Sequence, residues 1–416
     1  MKKWQWISLV SFLLLAALAW LWLRDEPLLA DARAWLQAPP AAAESVAYYQ
    51  LLGLDAPAGQ DPQAAGRQLL DAHRQWRAEH GFSDLLQPAA AAERIELPAG
   101  LCALGEPGCL QQLRDNPAQL AGLLARHAEL RQRYENLLAQ SDYRTLSQPS
   151  MDEPLANYTS LDRANRLLAA QALVLAEGGL GAAGLALLQQ DVRQLREWLG
   201  RADNLILKMM LVRLLAADLD AIAVLHDAGL LPRPAAQPAL SEAERSLQGA
   251  MQREFALVGF GLMTLLDNPQ TASELGVLRW QLRWLYKPQM TVNDSLPAYR
   301  RVANASQLDT AAFVRSLQSP ARAEPSLWRR VRNPLGAILG QVATPDFNQY
   351  LARLHDLDAK LVLFNALGQA VPEVDNPYRA DQRASWDAKR QAYCFAGPLA
   401  DKQGLRCLPW TPPAAS

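Results

Sequence analysis

Three chemistries are open to four cysteines that fall in two local pairs, Cys102 with Cys109 and Cys394 with Cys407: metal binding, thiol redox and disulfide formation. A zinc site wants ligands two to four residues apart with a third and fourth close by, and neither pair has that spacing or a neighbouring His. A redox pair wants C-x-x-C beside a strand-to-helix turn, which is absent. Disulfides remain, and of the three connectivities four cysteines allow, the local one is expected, because each pair brackets a short loop holding Gly and Pro. Such loops add about 2.5 and 3 kcal/mol on the chain-entropy model. No metal site is expected.

The other chemistry-bearing residues form weaker patterns. Gly179-Leu-Gly-Ala-Ala-Gly184 matches the dinucleotide fingerprint G-x-G-x-x-G, but the Leu- and Ala-rich run before it reads as helix, so a helix–turn–helix with Gly178 and Gly179 at the C-cap is expected and no cofactor. The five histidines, His73, His80, His127, His226 and His355, show no H-E-x-x-H spacing. His127 and His226 lie on apolar helix seams and read as hydrogen-bonded core residues. His226-Asp227 and His355-Asp356 do not make base-and-orienter pairs, since adjacent helix residues point about 100° apart. Lys208, Arg213, Asp218 and Asp220 fall in an otherwise apolar helix and suggest internal ion pairing. No G-x-S-x-G, S-x-x-K or P-loop pattern occurs.

Trp280 and Trp284 stand one helical turn apart and lead through Tyr286 into Lys287-Pro-Gln-Met-Thr-Val-Asn-Asp294, read as a polar loop beside an aromatic face. Trp280, Trp284, Lys287, Asn293 and Asp294 are therefore the candidate residues of a binding groove.

The elements that must position these residues begin with an anchor. Met1-Lys-Lys3 precedes an uncharged run from Trp4 to Leu23, about 30 Å as a helix, with Trp4 and Trp6 at one end and Trp20 and Trp22 at the other. Lys2 and Lys3 before the run, against Arg24-Asp-Glu26 after it, place the N-terminus in the cytoplasm and the bulk in the periplasm. The alternative is a cleaved signal peptide, with Ala17-Leu-Ala19 or Ala30-Asp-Ala32 as the processing site. Either way the cysteines reach an oxidising space, as local disulfides require.

Beyond the anchor the pattern is helical. Asn116-Pro117 reads as a helix start, with Leu120, Leu123, His127, Leu130, Tyr134 and Leu137 on one seam. Thr159 to Asp162, Ser241 to Glu244 and Thr271 to Glu274 have capping-box spacing, and Thr344-Pro345 opens a helix that stops at Gly368. Strand signals are thin, apart from pieces such as Arg94 to Leu97. The reading is all-α: a cytoplasmic tip at 1–3, an anchor at 4–23, a juxtamembrane segment at 24–41, helical subdomains at 42–229 and 240–368 of irregular hairpins, a Pro-rich linker at 230–239, and a loop-rich, disulfide-closed end at 369–416.

Within that end, Asn376-Pro-Tyr378 followed by Trp386-Asp387 resembles a short closing segment of bacterial membrane-anchored exported proteins, in which an Asn/Asp-Pro-aromatic turn precedes a Trp-Asp or aromatic strand. Arg379 and Ala380 stand here where that segment carries Gly. The resemblance spans about 25 residues and implies no activity.

With 41 basic and 42 acidic residues, nothing in the charge favours nucleic acid. The expectation is a single-pass inner-membrane protein that binds or scaffolds an envelope partner without catalysis. An exported hydrolase of peptidoglycan or carbohydrate working in a helical groove is the alternative, and a lipid-binding helical domain the third.

Overall fold

The computed structural model describes residues 3–37, 44–80, 93–266, 279–318, 325–369 and 373–411. Its first helix, α1 (Lys3–Leu23), leaves Trp4, Ile7, Phe12 and Leu15 exposed along its length. Among the described residues no helix is long and apolar enough to cross a membrane; the side chains at positions 3, 5, 18 and 21, inside α1, lie outside that set. Two short helices follow, α2 (Ala30–Leu36) and α3 (Val46–Leu52), then α4 (Pro62–His80) packed on α3.

The body is built around α10 (Leu205–Asp227), whose fifteen buried residues cover every face. Such a helix must be enclosed all round. On one side it meets the hairpin of α8 (Tyr158–Glu177) and α9 (Gly181–Arg201), on another the long helix α18 (Asn348–Asn365). Between α4 and α8 come α5 (Cys109–Arg114), α6 (Pro117–Arg126) and α7 (Ala128–Leu138). After α10 come α11 (Glu242–Arg245), α12 (Gln248–Thr264), α13 (Arg279–Leu285), α14 (Pro288–Ala305), α15 (Thr310–Ser316), α16 (Leu327–Arg332) and α17 (Pro334–Val342).

The G-x-G-x-x-G glycines serve helix packing. Gly178 caps α8 and Gly179 turns the chain at φ 81°. A Cβ at Gly181 would stand 2.3 Å from the Leu230 carbonyl oxygen, and one at Gly184 2.8 Å from that of Ala172. Glycine is what lets α9 lie this close to α8 and to the end of α10.

Both disulfides pair locally, Cys102 with Cys109 and Cys394 with Cys407. The first closes the loop that opens α5, with Gly108 at φ 81° as its N-cap residue. The second ties neighbours in a small antiparallel sheet of β3 (Ser385–Asp387), β4 (Ala392–Cys394) and β5 (Cys407–Pro409). A separate pair, β1 (Asp375–Asn376) and β2 (Arg379–Arg383), precedes it. The chain is thus mostly helical, with its Trp-Asp strand where the C-terminal segment suggested. β5 packs on α10 and α18.

Several helix starts differ from expectation. Ser241 and Glu244 form the full capping box, but α8 begins at Tyr158 with Asn157 as its N-cap, accepting from the Thr159 amide, so the helix is already under way at Thr159. Thr159 caps nothing, and Asp162 pairs instead with Arg166 and Arg213. Asn116 spends its amide on the Gln112 carbonyl, leaving α6 to start at Pro117 without a side-chain cap. His127 breaks the expected long seam helix into α6 and α7, its Nδ1 held by the Glu96 carbonyl at 3.1 Å. α18 starts at Asn348 rather than at Thr344-Pro345. The Thr271 to Glu274 box lies outside the described residues.

Residues 230–239 form a strap on α18: Asn365 accepts from the Gln237 amide and Asp358 from that of Leu240. Leu231 and Leu240 belong to the same buried cluster as α10, α12 and α18.

Candidate functional site

The chain leaving α1 turns at Arg24 and lies along the first turns of α14. That helix starts at Lys287-Pro288 with Pro at N1, where its missing N–H costs nothing. No side chain of its own caps it. Asp25 does so from 264 residues away, accepting from the amides of Gln289 at 2.7 Å and Met290 at 3.2 Å. A carboxylate is the group a helix N-terminus favours. Burial nonetheless raises Asp25 above its ordinary pKa, with these amides opposing.

The next residues are held as closely. Leu28 and Leu29 donate their amides to the side-chain oxygens of Gln289 and Asn293, at 2.7 and 3.0 Å. Asn293 Nδ2 donates to Glu26 and to the Pro27 carbonyl at 2.9 and 3.1 Å. Arg329 on α16 grips Glu26 through both terminal nitrogens at 3.1 and 2.7 Å and reaches Asp294 through Nε at 2.8 Å. Burial works against the Glu26 charge, yet Arg329 and Asn293 outweigh it and hold its pKa below the ordinary value. Arg332 donates to the Arg24 carbonyl, and Trp22 of α1 meets Trp328 of α16 edge to face at 5.5 Å.

The candidate residues drawn from sequence thus separate. Asn293 and Asp294 belong to this seam. Lys287 is fully buried, lowered in pKa by desolvation, and donates to the carbonyls of Arg283 and Trp284 at 2.7 and 3.2 Å, closing the end of α13. Trp284 is half exposed, and the Trp280 side chain lies outside the described residues. The stretch from Lys287 to Asp294 is not a polar loop: Pro288 opens a helix there, and Met290 and Val292 face the core. Asp25, Glu26 and Arg329 escaped sequence reasoning because their partners lie about 260 to 300 positions away; an acidic pair directly after an apolar run was the sole local signal.

Beside the seam opens a groove of about 860 Å³. Leu29 and Asp31 form one wall; Asn293, Leu296, Pro297 and Arg300 of α14 form the other. Pro297 supplies no amide to the α14 ladder. At the mouth Arg300 pairs with Asp31 at 2.6 Å, both largely exposed, while Arg301 donates to the Ser316 carbonyl at 3.0 Å. Apolar floor and guanidinium rim are the makings of a site for an extended, partly acidic segment.

The body holds a second polar centre. Asn165 donates from Nδ2 to Asp191 at 3.0 Å and to Asp218 at 2.8 Å, and the Tyr134 hydroxyl donates to Asp191 at 2.8 Å. Burial raises both carboxyls, Asp191 to about 6 and Asp218, beside its charge, well above the ordinary range. Two carboxyls this close and this deeply buried favour holding a proton between them as a pair. A cleft of about 410 Å³, lined by Arg131, Glu135, Gln171, Gln190 and Gln194, reaches Asp191 from outside. Both carboxyls are almost wholly buried.

The remaining charges of α10 do not all pair internally. Asp220 meets Lys360 and Arg213 meets Asp162, but Lys208 closes the carbonyls of Leu199 and Ala243 at 2.9 and 3.3 Å, its pKa lowered to about 8 by desolvation. His355 and Asp356 face apart, as helix geometry requires. His355 stacks on Phe313 at 4.4 Å, while Asp356 accepts from Tyr378 and Arg406 and so fastens the C-terminal segment to α18.

No family model, curated protein or solved structure matches the chain, so no family of known function is recognised.

Proposed function

We propose that this chain is a single-pass, membrane-anchored binding component of the cell envelope, with α1 in the bilayer, the N-terminus cytoplasmic and the helical body periplasmic. The groove between α2 and α14 would receive an extended segment of a partner protein at the membrane surface. The observation that carries this reading is position: residues 29–31, six to eight past the end of α1, form one wall of the 860 Å³ groove.

Anchoring is supported by α1 itself. From Trp4 to Leu23 it carries no charge, and it exposes large apolar side chains on all sides, a surface stabilised by hydrocarbon rather than water at about 1.5 to 3 kcal/mol per side chain. Two local disulfides support an oxidising compartment. A hydrolase has less behind it, because the converging carboxylates, Asp191 and Asp218, are engaged by Tyr134 and Asn165 and almost wholly buried.

The test is site-specific photo-crosslinking in cells, with benzoylphenylalanine replacing Leu296 in the groove or Leu155, an exposed residue elsewhere. A discrete adduct from position 296 alone, lost on Arg300→Glu and resistant to alkaline extraction of the membranes, is the expected result. Equal adducts from both positions would remove the groove from the proposal, and release by alkali would remove the anchor.

A further inference from the structure

Outside α1, the exposed large apolar side chains are unevenly placed. Trp284 of α13, Leu327, Trp328 and Val331 of α16, and Ile338 and Val342 of α17 are all exposed, Trp328 at 60% and Val342 at 79%. These three helices pack on one another: α13 meets both α1 and α17, and α16 meets α17. The Trp22–Trp328 contact and the Arg332 bond to the Arg24 carbonyl place the set where the chain leaves α1.

The charges there share one sign. Across α13, α16 and α17 there are five arginines, at 279, 283, 329, 330 and 332, and no Asp or Glu. In α16 (Leu-Trp-Arg-Arg-Val-Arg) the arrangement is amphipathic over two turns: Leu327, Trp328 and Val331 are exposed while Arg329 is turned toward Glu26 and Asp294. Exposed apolar and aromatic side chains beside arginines, on helices that carry no acidic residue of their own and with Arg329 paired to Glu26 and Asp294 from neighbouring segments, match the interfacial zone of a bilayer, where Trp sits at headgroup depth and guanidinium meets phosphate. A site for an acidic protein would share the charge but would not call for six exposed Trp, Leu, Ile and Val side chains.

We infer that α13, α16 and α17 form a second membrane-contacting surface, a collar around the exit of α1 that rests in the anionic headgroup layer of the same bilayer. This rests on the anchored reading above and adds to it an orientation. With α14 bound to the collar through Arg329 and through Asn333, which accepts from the Lys287 amide at 2.8 Å, the body cannot swing freely on α1. The groove wall at residues 29–31 is then held close to the lipid surface, within reach of the juxtamembrane part of another membrane protein.

The experiment uses the full chain in vesicles of phosphatidylethanolamine and phosphatidylglycerol. The four native cysteines are all in disulfides, so a single added cysteine takes an environment-sensitive fluorophore selectively. Leu327→Cys and Val342→Cys report on the collar, Leu14→Cys on α1, and Met151→Cys, at an exposed site in a loop of the body, supplies the aqueous reference. The expected result is blue-shifted emission at 327 and 342, quenched by lipids carrying a nitroxide near the headgroup, with deeper nitroxides quenching position 14 and neither quenching 151. If 327 and 342 match 151 while 14 is quenched, the collar is overturned and the anchor stands. If 14 is unquenched as well, both readings fall. A blue shift at 327 and 342 that no lipid quencher affects would mean that protein, such as a second copy of this chain, covers the surface, and would also overturn the inference.

Discussion

Asp191 with Asp218 in the middle of the body, and Glu26 with Arg329 where the chain leaves α1, are two buried or half-buried acidic centres stabilised by different means. Among the described residues the inner pair is met by neutral donors, Tyr134 and Asn165, and burial raises both carboxyls, which favours a shared proton. The outer acid meets a guanidinium and keeps its charge. Their pH responses are therefore opposite. The inner pair has raised pKa values, so its contribution is largest at low pH and falls as pH rises from the ordinary carboxylate range through about 6. Glu26 has a lowered pKa, so its contribution is present above the ordinary glutamate value and is lost as pH falls through the folded one. One centre joins α7, α8, α9 and α10; the other fastens the segment that follows α1 to α14 and α16.

The largest effect that tests this contrast is Asn165→Ala. Asn165 serves both inner carboxyls, and its loss leaves each buried with one donor fewer. A destabilisation of about 3 kcal/mol is expected, read as a fall in the urea midpoint. A change within error would mean that water or a rearranged Tyr134 supplies the donor.

Asp218→Asn should act in the other direction. The amide keeps the shape and can donate to Asp191 without holding a proton against the solvent. The variant is expected to be more stable than wild type by about 1 to 2 kcal/mol at pH 8 and nearly equal to it at pH 4. Thermal melts across that range check the prediction. Equal destabilisation at both values would show that the pair is not proton-linked.

How legible these regions were in the sequence follows from the distances involved. The seam residues of α7 and α18, the hairpin at Gly178-Gly179 and both disulfides rest on signals within about four to thirteen positions, and the chain forms all of them. Asp218 stood out as a charge in an apolar helix, but its partners Asn165 and Asp191 lie 53 and 27 positions earlier and nothing local pairs them. The polar stretch from Lys287 to Asp294 misleads for the same reason. Its polar side chains looked solvated, whereas Asn293 and Asp294 are satisfied by Glu26, Pro27 and Arg329. Local pattern identifies elements; it cannot show that the first segment of a chain will cap a helix 264 residues later.

Arg329→Ala is the smallest and most local of the expected effects. The guanidinium is partly exposed, so solvent screens it and the whole fold should lose no more than about 1 kcal/mol. The seam should respond more clearly. With Arg329 gone, Glu26 keeps the Asn293 hydrogen bond and the more distant charge of Arg332, and the Leu28 and Leu29 amides, bonded to Gln289 and Asn293, lose the clamp that holds their segment against α14. Amide exchange at those two residues should accelerate about fivefold at pH 7, while amides in α10 remain unchanged. Repeated below the folded pKa of Glu26, the difference between variant and wild type should shrink, because protonation has already weakened the ion pair in both. Acceleration spread evenly through the body would instead place Arg329 in the general stability of the fold, and the distinction between the two acidic centres would fail.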